Sequence, residues 1–167
     1  MPDIQMTRRG LLGAGALATV ATLIGCSSRD ATAATTRYQI THTPAEWRQR
    51  LGAARFNILR NAGTEAPFSA PLNNEHRKGI FSCAGCALPL YSSGAKFDSG
   101  TGWPSFFQTL PNAVAYTTDK SLLMSRTEEH CRRCGGHLGH LFDDGPKPTG
   151  KRHCINGLAL TFKPGLS

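Results

Sequence analysis

The amino-acid sequence predicts a core of mostly antiparallel β-structure with helices at its N-terminal edge. The chain has 167 residues, among them 18 glycines and 10 prolines, and this composition favours turns and short strands over long helices. Short apolar segments separated by Gly, Pro, Asp and Asn follow one another after residue 63. The predicted strands cover residues 79–83, 90–92, 113–118, 121–128 and 152–162. The length suits one domain with an ordinary hydrophobic core.

The predicted helical region begins at Thr-Pro-Ala-Glu, residues 43–46. Thr43 has the position of an N-cap, Pro44 that of the first helical residue, and Glu46 completes a capping box. Gly52 should divide the region into two short helices, the second of which ends before Gly63. The residues at helical spacing that predict a buried face are Trp47, Leu51, Ala54 and Ile58.

The N-terminal segment has the features of an export signal. Residues 7–12 read T-R-R-G-L-L, and an uncharged stretch follows to Gly25. A membrane-spanning helix needs about 20 apolar residues, whereas the 16 residues 10–25 are only weakly hydrophobic. Paired arginines before a short apolar region resemble a twin-arginine signal, so we expect export to the periplasm or cell envelope.

The end of this segment, L-I-G-C at residues 23–26, resembles a bacterial lipobox. Cleavage before Cys26 would leave that residue lipidated and would tether the protein to a membrane. The competing interpretation is cleavage within A-T-A-A, residues 31–34, with loss of Cys26. The chain therefore divides into an export signal (1–26), a linker (27–42) and a folded domain (43–167).

The net charge of +8 raises the question of nucleic-acid binding. The basic residues are scattered, with no stripe and no interleaved aromatic side chains. We interpret them as a solvated basic surface and expect no nucleic-acid partner.

Two C-x-x-C pairs, Cys83/Cys86 and Cys131/Cys134, predict a structural zinc ion. Each pair has the spacing of a zinc knuckle, and four thiolates complete a closed tetrahedral shell. Alternatives are a redox pair, two disulfides in an exported protein, and a mixed shell that includes His137. The four-cysteine zinc site is the interpretation we favour, with one ion per chain.

Cys154, in R-H-C-I-N at residues 152–156, is the remaining thiol of the domain. On a strand it would share one face with Arg152 and Asn156. A neighbouring guanidinium stabilises the reactive thiolate, which favours a nucleophile over a buried, inert cysteine.

Four further residues are candidates for the same site. His137 and His140 lie in G-G-H-L-G-H, and Asp144 follows in a turn-like D-D-G-P. Loop histidines are most often structural, but next to a metal-fixed turn they offer a general acid. Trp103 is set among Gly and Pro, which places its indole on a loop where it could line a pocket.

In this order the motifs resemble methionine sulfoxide reductase B, the family that reduces the R epimer of methionine sulfoxide. The matching segments are A-G-T-E-A-P-F (62–68), C-A-G-C (83–86), K-F-D-S-G-T-G-W-P-S-F (96–106), C-R-R-C-G-G-H-L-G-H-L-F-D-D-G-P (131–146) and R-H-C-I-N-G (152–157). The resemblance extends over about residues 44 to 163. It implies two antiparallel sheets with a few peripheral helices, and zinc on the four C-x-x-C cysteines.

The resemblance also implies roles for the site residues. Cys154 would attack the sulfoxide sulfur, giving a sulfenic acid and methionine, while Arg152 favours the thiolate. His137, His140 and Asn156 would bind or protonate the sulfoxide oxygen. Trp103 would pack on the methyl group of the substrate, and we expect Asp144 to contribute to substrate binding as well. Oxidised proteins and peptides would be the substrates.

The chain departs from the family at two positions. Thr101 stands where many members carry a resolving cysteine, so we expect an external, thioredoxin-like thiol to reduce the sulfenic acid. His153 replaces a frequent aromatic residue and should point away from the thiolate. Alternatives to a reductase are a zinc-ribbon binding module without catalysis, and a thiol–disulfide exchange enzyme that uses a C-x-x-C pair.

Overall fold

The computed structural model describes residues 38–121 and 125–165. The predicted export signal, the lipobox with Cys26 and most of the predicted linker lie outside the described residues. No helix in the part of the chain that the structure describes is long and apolar enough to cross a membrane.

The regular structure of the described residues is one kinked helix followed by short strands. The elements are α1 (Pro44–Asn61), β1 (Gly79–Cys83), β2 (Pro89–Ser92), β3 (Lys96–Phe97), β4 (Ser105–Phe106), β5 (Val114–Asp119), β6 (Arg126–Cys131), β7 (His137–Phe142), β8 (Arg152–Ile155) and β9 (Leu160–Pro164). Short 3₁₀ helices lie at Pro71–Asn74, Ser93–Ala95 and Gly157–Ala159.

The strands form two antiparallel sheets, as the resemblance implied. The smaller sheet has the order β2-β1-β9, and the larger has the order β3-β4-β8-β7-β6-β5. The predicted mainly β fold with an N-terminal helical region is therefore confirmed. Aromatic rings join the two sheets: Tyr91 of β2 stacks on Phe106 of β4 at 4.2 Å between ring centroids, and Phe81 of β1 meets the same ring at 5.0 Å.

Two of the predicted strands have the wrong extent, and one strand was not predicted. The strand expected over 121–128 begins at Arg126 and continues to Cys131, because its pairing with β5 extends to Val114. Residues 137–142 form β7, although His137 and His140 were expected on a loop. The strand expected over 152–162 is two strands in different sheets, separated by the 3₁₀ helix Gly157–Ala159. The Glu65 carboxylate accepts the backbone N–H groups of Gly157 and Leu158, which removes them from a β-ladder.

The predicted capping box is confirmed at the start of α1. The Thr43 hydroxyl accepts the Glu46 N–H at 3.3 Å, and the Glu46 carboxylate accepts the Thr43 N–H at 2.8 Å. Gly52 has φ 70 and ψ 169, which are not helical, so it divides α1 as predicted. The helix ends at Asn61, before Gly63.

The predicted buried face of α1 is confirmed only in part. Trp47 and Ile58 are buried, whereas Leu51 is half-buried and Ala54 is exposed. The kink at Gly52 rotates the second half of the helix, so a single helical period cannot describe both halves. Buried residues that the periodicity missed are Phe56 and Leu59.

The last residues of the predicted linker pack on the domain. The Ile40 N–H donates to the Arg133 carbonyl at 3.1 Å, and the Tyr38 ring meets His130 edge-on at 6.1 Å. Both side chains are largely apolar, so contact with the domain removes apolar surface from water. Tyr38 and Ile40 of the predicted linker therefore pack against the folded domain.

Candidate active site

The two C-x-x-C turns meet at one end of the sheets. Their four sulfur atoms lie within 4.8 Å of one another, with Cys83 and Cys134 sulfurs 3.7 Å apart and Cys86 and Cys131 sulfurs 3.5 Å apart. A zinc ion bound at about 2.3 Å by four sulfurs would set neighbouring sulfurs about 3.8 Å apart. The cluster could therefore hold a metal ion of this kind.

The geometry disfavours the other interpretations of these cysteines. A disulfide requires a sulfur–sulfur distance of about 2.05 Å, and all four cysteines are free thiols. A mixed shell with His137 is not formed, because neither ring nitrogen belongs to the group of ligand atoms that lie within 4.8 Å of one another.

Arg60 brings a positive charge to this cluster from α1. Its guanidinium donates to the Cys134 sulfur at 3.2 Å and to the Cys134 carbonyl at 2.9 Å, and it lies 4.0 Å over the Trp47 ring. Four thiolates around a divalent ion leave a net charge of about −2. The guanidinium would partly balance that charge, and its two hydrogen bonds connect the helix to the cluster.

A cavity of about 130 Å³ lies away from the cysteine cluster, on the larger sheet. Four residues predicted from the sequence line it: Trp103, His140, Cys154 and Asn156. Strand pairing explains this convergence, because Cys154 of β8 is directly opposite His140 of β7 on one side and Ser105 of β4 on the other. Side chains directly opposite each other share one face of a sheet.

Three other predicted residues lie just outside the cavity wall. His137 is buried beside His140, with ring centroids 5.6 Å apart. Arg152 forms a two-point ion pair with Asp144, both contacts at 2.8 Å, and lies 4.3 Å over the ring of Phe142, which lines the cavity. Asp144 therefore holds Arg152 and does not line the cavity itself.

Cys154 sits at the end of a chain of hydroxyl groups. The Thr101 hydroxyl is 3.8 Å from its sulfur and 2.8 Å from the Ser99 hydroxyl, which is 2.7 Å from that of Ser105. Burial raises the pKa of the Cys154 thiol above its ordinary value, and the hydrogen bond from Thr101 and the positive charge of Arg152 lower it by less. The resting side chain is thus a protonated thiol at neutral pH.

Glu65, which the sequence reasoning missed as a site residue, connects the cavity walls. Its carbonyl accepts the Trp103 indole N–H at 3.2 Å, and its own N–H donates to the Asn156 side-chain oxygen at 3.1 Å. The Asn156 side-chain nitrogen donates to the Leu138 carbonyl at 3.0 Å. The segment A-G-T-E-A-P-F contains this residue, but its contacts join positions far apart in sequence.

Asp119 and Arg126 are two more residues that the sequence did not single out. An Asp119 oxygen lies 2.8 Å from His140 Nε2 and accepts from the Arg126 guanidinium at 2.7 Å. Burial lowers the pKa of His140, and the Asp119 contact raises it by less. His140 is therefore neutral at neutral pH. The Asp-Lys-Ser turn at 119–121 was visible in the sequence, but nothing in it pointed to His140.

His153 lies on the opposite side of β8 from Cys154. Its Nδ1 is 2.7 Å from a carboxylate oxygen of Glu129, whose other oxygen accepts the Tyr91 hydroxyl. All three side chains are buried in the core. The expected orientation of His153, away from the thiol, agrees with this contact.

Comparisons with known proteins agree with the motifs. The SelR domain family matches residues 51–164. The peptide methionine sulfoxide reductase MsrB of Agrobacterium fabrum is 48% identical over 127 residues, which cover 75% of this chain and 94% of the relative. The protein of the same name from Thiobacillus denitrificans is 51% identical over 123 residues, 73% of this chain and 93% of the relative. The protein of the same name from Methanosarcina barkeri is 50% identical over 119 residues, which cover 71% of this chain and 84% of the relative.

The contact between Thr101 and Cys154 predicts that Thr101 lowers the pKa of the Cys154 thiol. Thr101→Val removes a contact that lowers the thiol pKa, so the midpoint of the pH–alkylation profile should move to higher pH. The measurement is the rate of iodoacetamide labelling of the Cys154 peptide, read by mass spectrometry.

Thr161→Val is the matched control, because that hydroxyl bonds to the Ser82 carbonyl in the smaller sheet. Its profile should coincide with that of the wild type. An unchanged midpoint in Thr101→Val would contradict the assigned contact.

Proposed function

Because the chain belongs to the SelR-domain family of peptide methionine sulfoxide reductases, we propose that Cys154 is the nucleophile with which it reduces methionine-(R)-sulfoxide to methionine. The chain is an oxidoreductase of that family, a peptide-methionine (R)-S-oxide reductase. Its substrates are oxidised peptides and proteins. The observation that carries the residue assignment is the position of the Cys154 thiol in a cavity opposite His140. A zinc-ribbon binding module or a C-x-x-C exchange enzyme offers no role for this cavity.

The first step transfers oxygen from the substrate to Cys154. The sulfur of Cys154 attacks the sulfoxide sulfur and forms a sulfur–sulfur bond, while the oxygen takes up a proton. The oxygen then leaves the substrate sulfur and bonds to the Cys154 sulfur as the sulfur–sulfur bond breaks, which gives methionine and a Cys154 sulfenic acid. The cysteine is oxidised by two electrons and the sulfoxide is reduced by two. Because sulfoxide oxygen is a poor leaving group, it needs a proton as the bond breaks.

The proton that the sulfoxide oxygen needs comes from the Cys154 thiol. His140 is neutral and directly opposite Cys154, so it can accept the proton from sulfur and donate it to the oxygen. Asp119 orients its ring. His137 Nδ1 faces the Glu128 carboxylate, so its buried Nε2, which has no hydrogen-bond partner among the described residues, can accept from the oxygen once that oxygen carries a proton. Arg152 and Thr101 favour the thiolate as it forms.

Binding of the substrate rests on Trp103 and Asn156. The indole is held by Glu65 with its ring on the cavity wall, where it can pack against the methyl group of methionine sulfoxide. One of the two Asn156 side-chain N–H groups bonds to Leu138, and the other is available to the sulfoxide oxygen. Asp144 acts by holding Arg152.

Regeneration of the thiol requires a partner. An external thiol attacks the sulfenic acid to give a mixed disulfide and water, and a second thiol releases Cys154 and carries away the disulfide. The neighbour at the usual resolving position is the Thr101 hydroxyl, and the four other cysteines of the domain lie together in the metal cluster. The reductant is therefore an outside, thioredoxin-like dithiol.

We assign zinc to the four-cysteine cluster, with one structural ion per chain. Cys83, Cys86, Cys131 and Cys134 would hold it. A closed shell of four thiolates leaves no coordination position for substrate, so the ion acts as a staple between two turns.

We further propose that the chain is exported by the twin-arginine route and functions in the periplasm or cell envelope. The support is the T-R-R-G-L-L segment followed by a short apolar region. Because this route carries folded proteins, the four cysteines would bind the metal before export, and so before the thiols meet oxidants outside the cytoplasm. Lipidation at Cys26 would add a membrane tether.

Replacement of the nucleophile tests the proposed reaction. Cys154→Ser should lower the turnover of a methionine-(R)-sulfoxide peptide with dithiothreitol by about three orders of magnitude or more, because serine cannot form the sulfenic acid. Wild-type enzyme should leave the S epimer unreduced. Oxidised wild type, treated with substrate alone, should carry a sulfenic acid on Cys154 by mass spectrometry. An intramolecular disulfide to Cys154 would contradict the external reductant.

Metal analysis tests the assignment of zinc. The purified protein should contain about one zinc ion per chain, and Cys131→Ser should lose it together with a large part of its thermal stability. Cys154→Ser is the control and should keep both. Iron in place of zinc, or full stability of Cys131→Ser, would count against the assignment.

Replacement of Arg8 and Arg9 by lysine tests export. The double variant should accumulate as precursor in the cytoplasm, because the paired arginines are the part of the signal that the route reads. The mass of the mature N-terminus then separates lipidation of Cys26 from cleavage at residues 31–34. Undiminished export of the double variant would exclude the twin-arginine route.

A further inference from the structure

Phe68 is an exposed aromatic residue in an uncommon backbone conformation. Its side chain is 69% exposed, and its φ is 62°. It occupies the third position of a turn in which the Ser69 N–H donates to the Ala66 carbonyl. Turns of this kind usually have Gly or Asn at that position, because other side chains strain the backbone there.

One edge of the Phe68 ring lies against Gly102, but most of the ring faces solvent. The other non-glycine residues with positive φ also lie at a helix end or a turn, but their side chains are small or polar: Ala62, Ala87 and Asn112. Phe68 instead directs a large apolar ring towards solvent. Strained conformations of this kind concentrate at functional sites.

The turn of Phe68 is fixed to the wall that carries Trp103. The Phe68 N–H donates to the Gly102 carbonyl at 2.7 Å. A Cβ at Gly102 would lie 2.7 Å from Pro67 Cβ and 2.9 Å from the Phe68 nitrogen, so glycine is required for this approach. Gly102 immediately precedes Trp103, and Thr64, four residues before Phe68, also lines the cavity. The exposed ring therefore belongs to the surroundings of the active site.

The size of the cavity limits what it can bind. Its volume of about 130 Å³ is close to that of the roughly 150 Å³ cavity that holds a benzene molecule, and below the roughly 300–1,000 Å³ of sites that enclose a larger ligand. It has room for one side chain. The residues on either side of a methionine sulfoxide in a peptide must therefore lie outside it.

We propose that Phe68 is a docking surface for an apolar side chain next to methionine sulfoxide in an unfolded peptide segment. This inference rests on the proposed function and deepens it by naming the preferred substrate class. A buried methionine lies on a helix or strand whose other buried positions are also apolar and recur within a few residues of it, so the unfolded oxidised segment carries apolar residues close to the sulfoxide in sequence. The exposed ring offers those neighbours an apolar contact beside the cavity.

The experiment compares three substrates with dithiothreitol as reductant. They are N-acetyl-methionine-(R)-sulfoxide amide and two pentapeptides, with leucine or with serine on both sides of the methionine-(R)-sulfoxide. The variants are Phe68→Ala and Phe68→Gly. Tyr116→Ala is the matched control, because it removes another large exposed hydrophobic side chain, 45% exposed, from β5.

The wild type should prefer the leucine peptide, and both Phe68 variants should lose that preference. Burial of about 50 Å² of ring surface corresponds to about a tenfold fall in kcat/KM for the leucine peptide. The fall should lie mainly in KM, and the blocked amino acid should be turned over at the wild-type rate. Tyr116→Ala should keep the wild-type preference. Phe68→Gly should not lower the melting temperature, because glycine adopts a φ of 62° freely.

Each remaining outcome overturns the inference. Unchanged kcat/KM for the leucine peptide in both Phe68 variants would mean that no flanking residue contacts the ring. An equal loss for the blocked amino acid would mean that Phe68 supports the cavity itself. Both results would leave the proposed function intact if the wild type is active. A wild type that reduces none of the three substrates would overturn the proposed function as well.

Discussion

The convergence of four cysteine sulfurs is the constraint on which the rest of the structure depends. It joins the turn after β1 in the smaller sheet to the turn between β6 and β7 in the larger one. The second turn is where β7 begins, so the cluster sets the start of the strand that carries His137 and His140. Arg60 extends the same constraint to the helix through the Cys134 sulfur. One local set of contacts thereby fixes two sheets and the helix.

The candidate active site lies on that frame, and backbone pairing together with the contacts of Glu65 brings its residues to one place. β8 pairs with β4 on one side and with β7 on the other, which brings Cys154 between Ser105 and His140. Glu65 then connects Trp103, Asn156 and the 3₁₀ helix after β8 through its carbonyl, its N–H and its carboxylate. Because the polar groups of Glu65 and of the residues it contacts have hydrogen-bond partners, the cavity walls are held in one arrangement.

Electrostatics in the cavity favour a neutral resting state. Burial raises the pKa of the Cys154 thiol and lowers that of the His140 imidazole. A sulfoxide is itself neutral, and its reduction moves a proton from sulfur to oxygen without a net change in charge. A pair of neutral groups opposite each other on adjacent strands suits this transfer, since no buried charge has to be maintained before the substrate arrives.

The sequence by itself determined the mainly antiparallel β class, the capping box, the kink at Gly52, the grouping of four cysteines and the singling out of Cys154. These features depend on local spacing and residue chemistry. Only the tertiary structure decided that 152–162 is two strands, that His137 and His140 lie on a strand, and that Glu65 and Asp119 orient site residues. The physical reason is that such contacts join residues distant along the chain, as Glu65 with Asn156 and Asp119 with His140, and no local pattern of side chains encodes their distances.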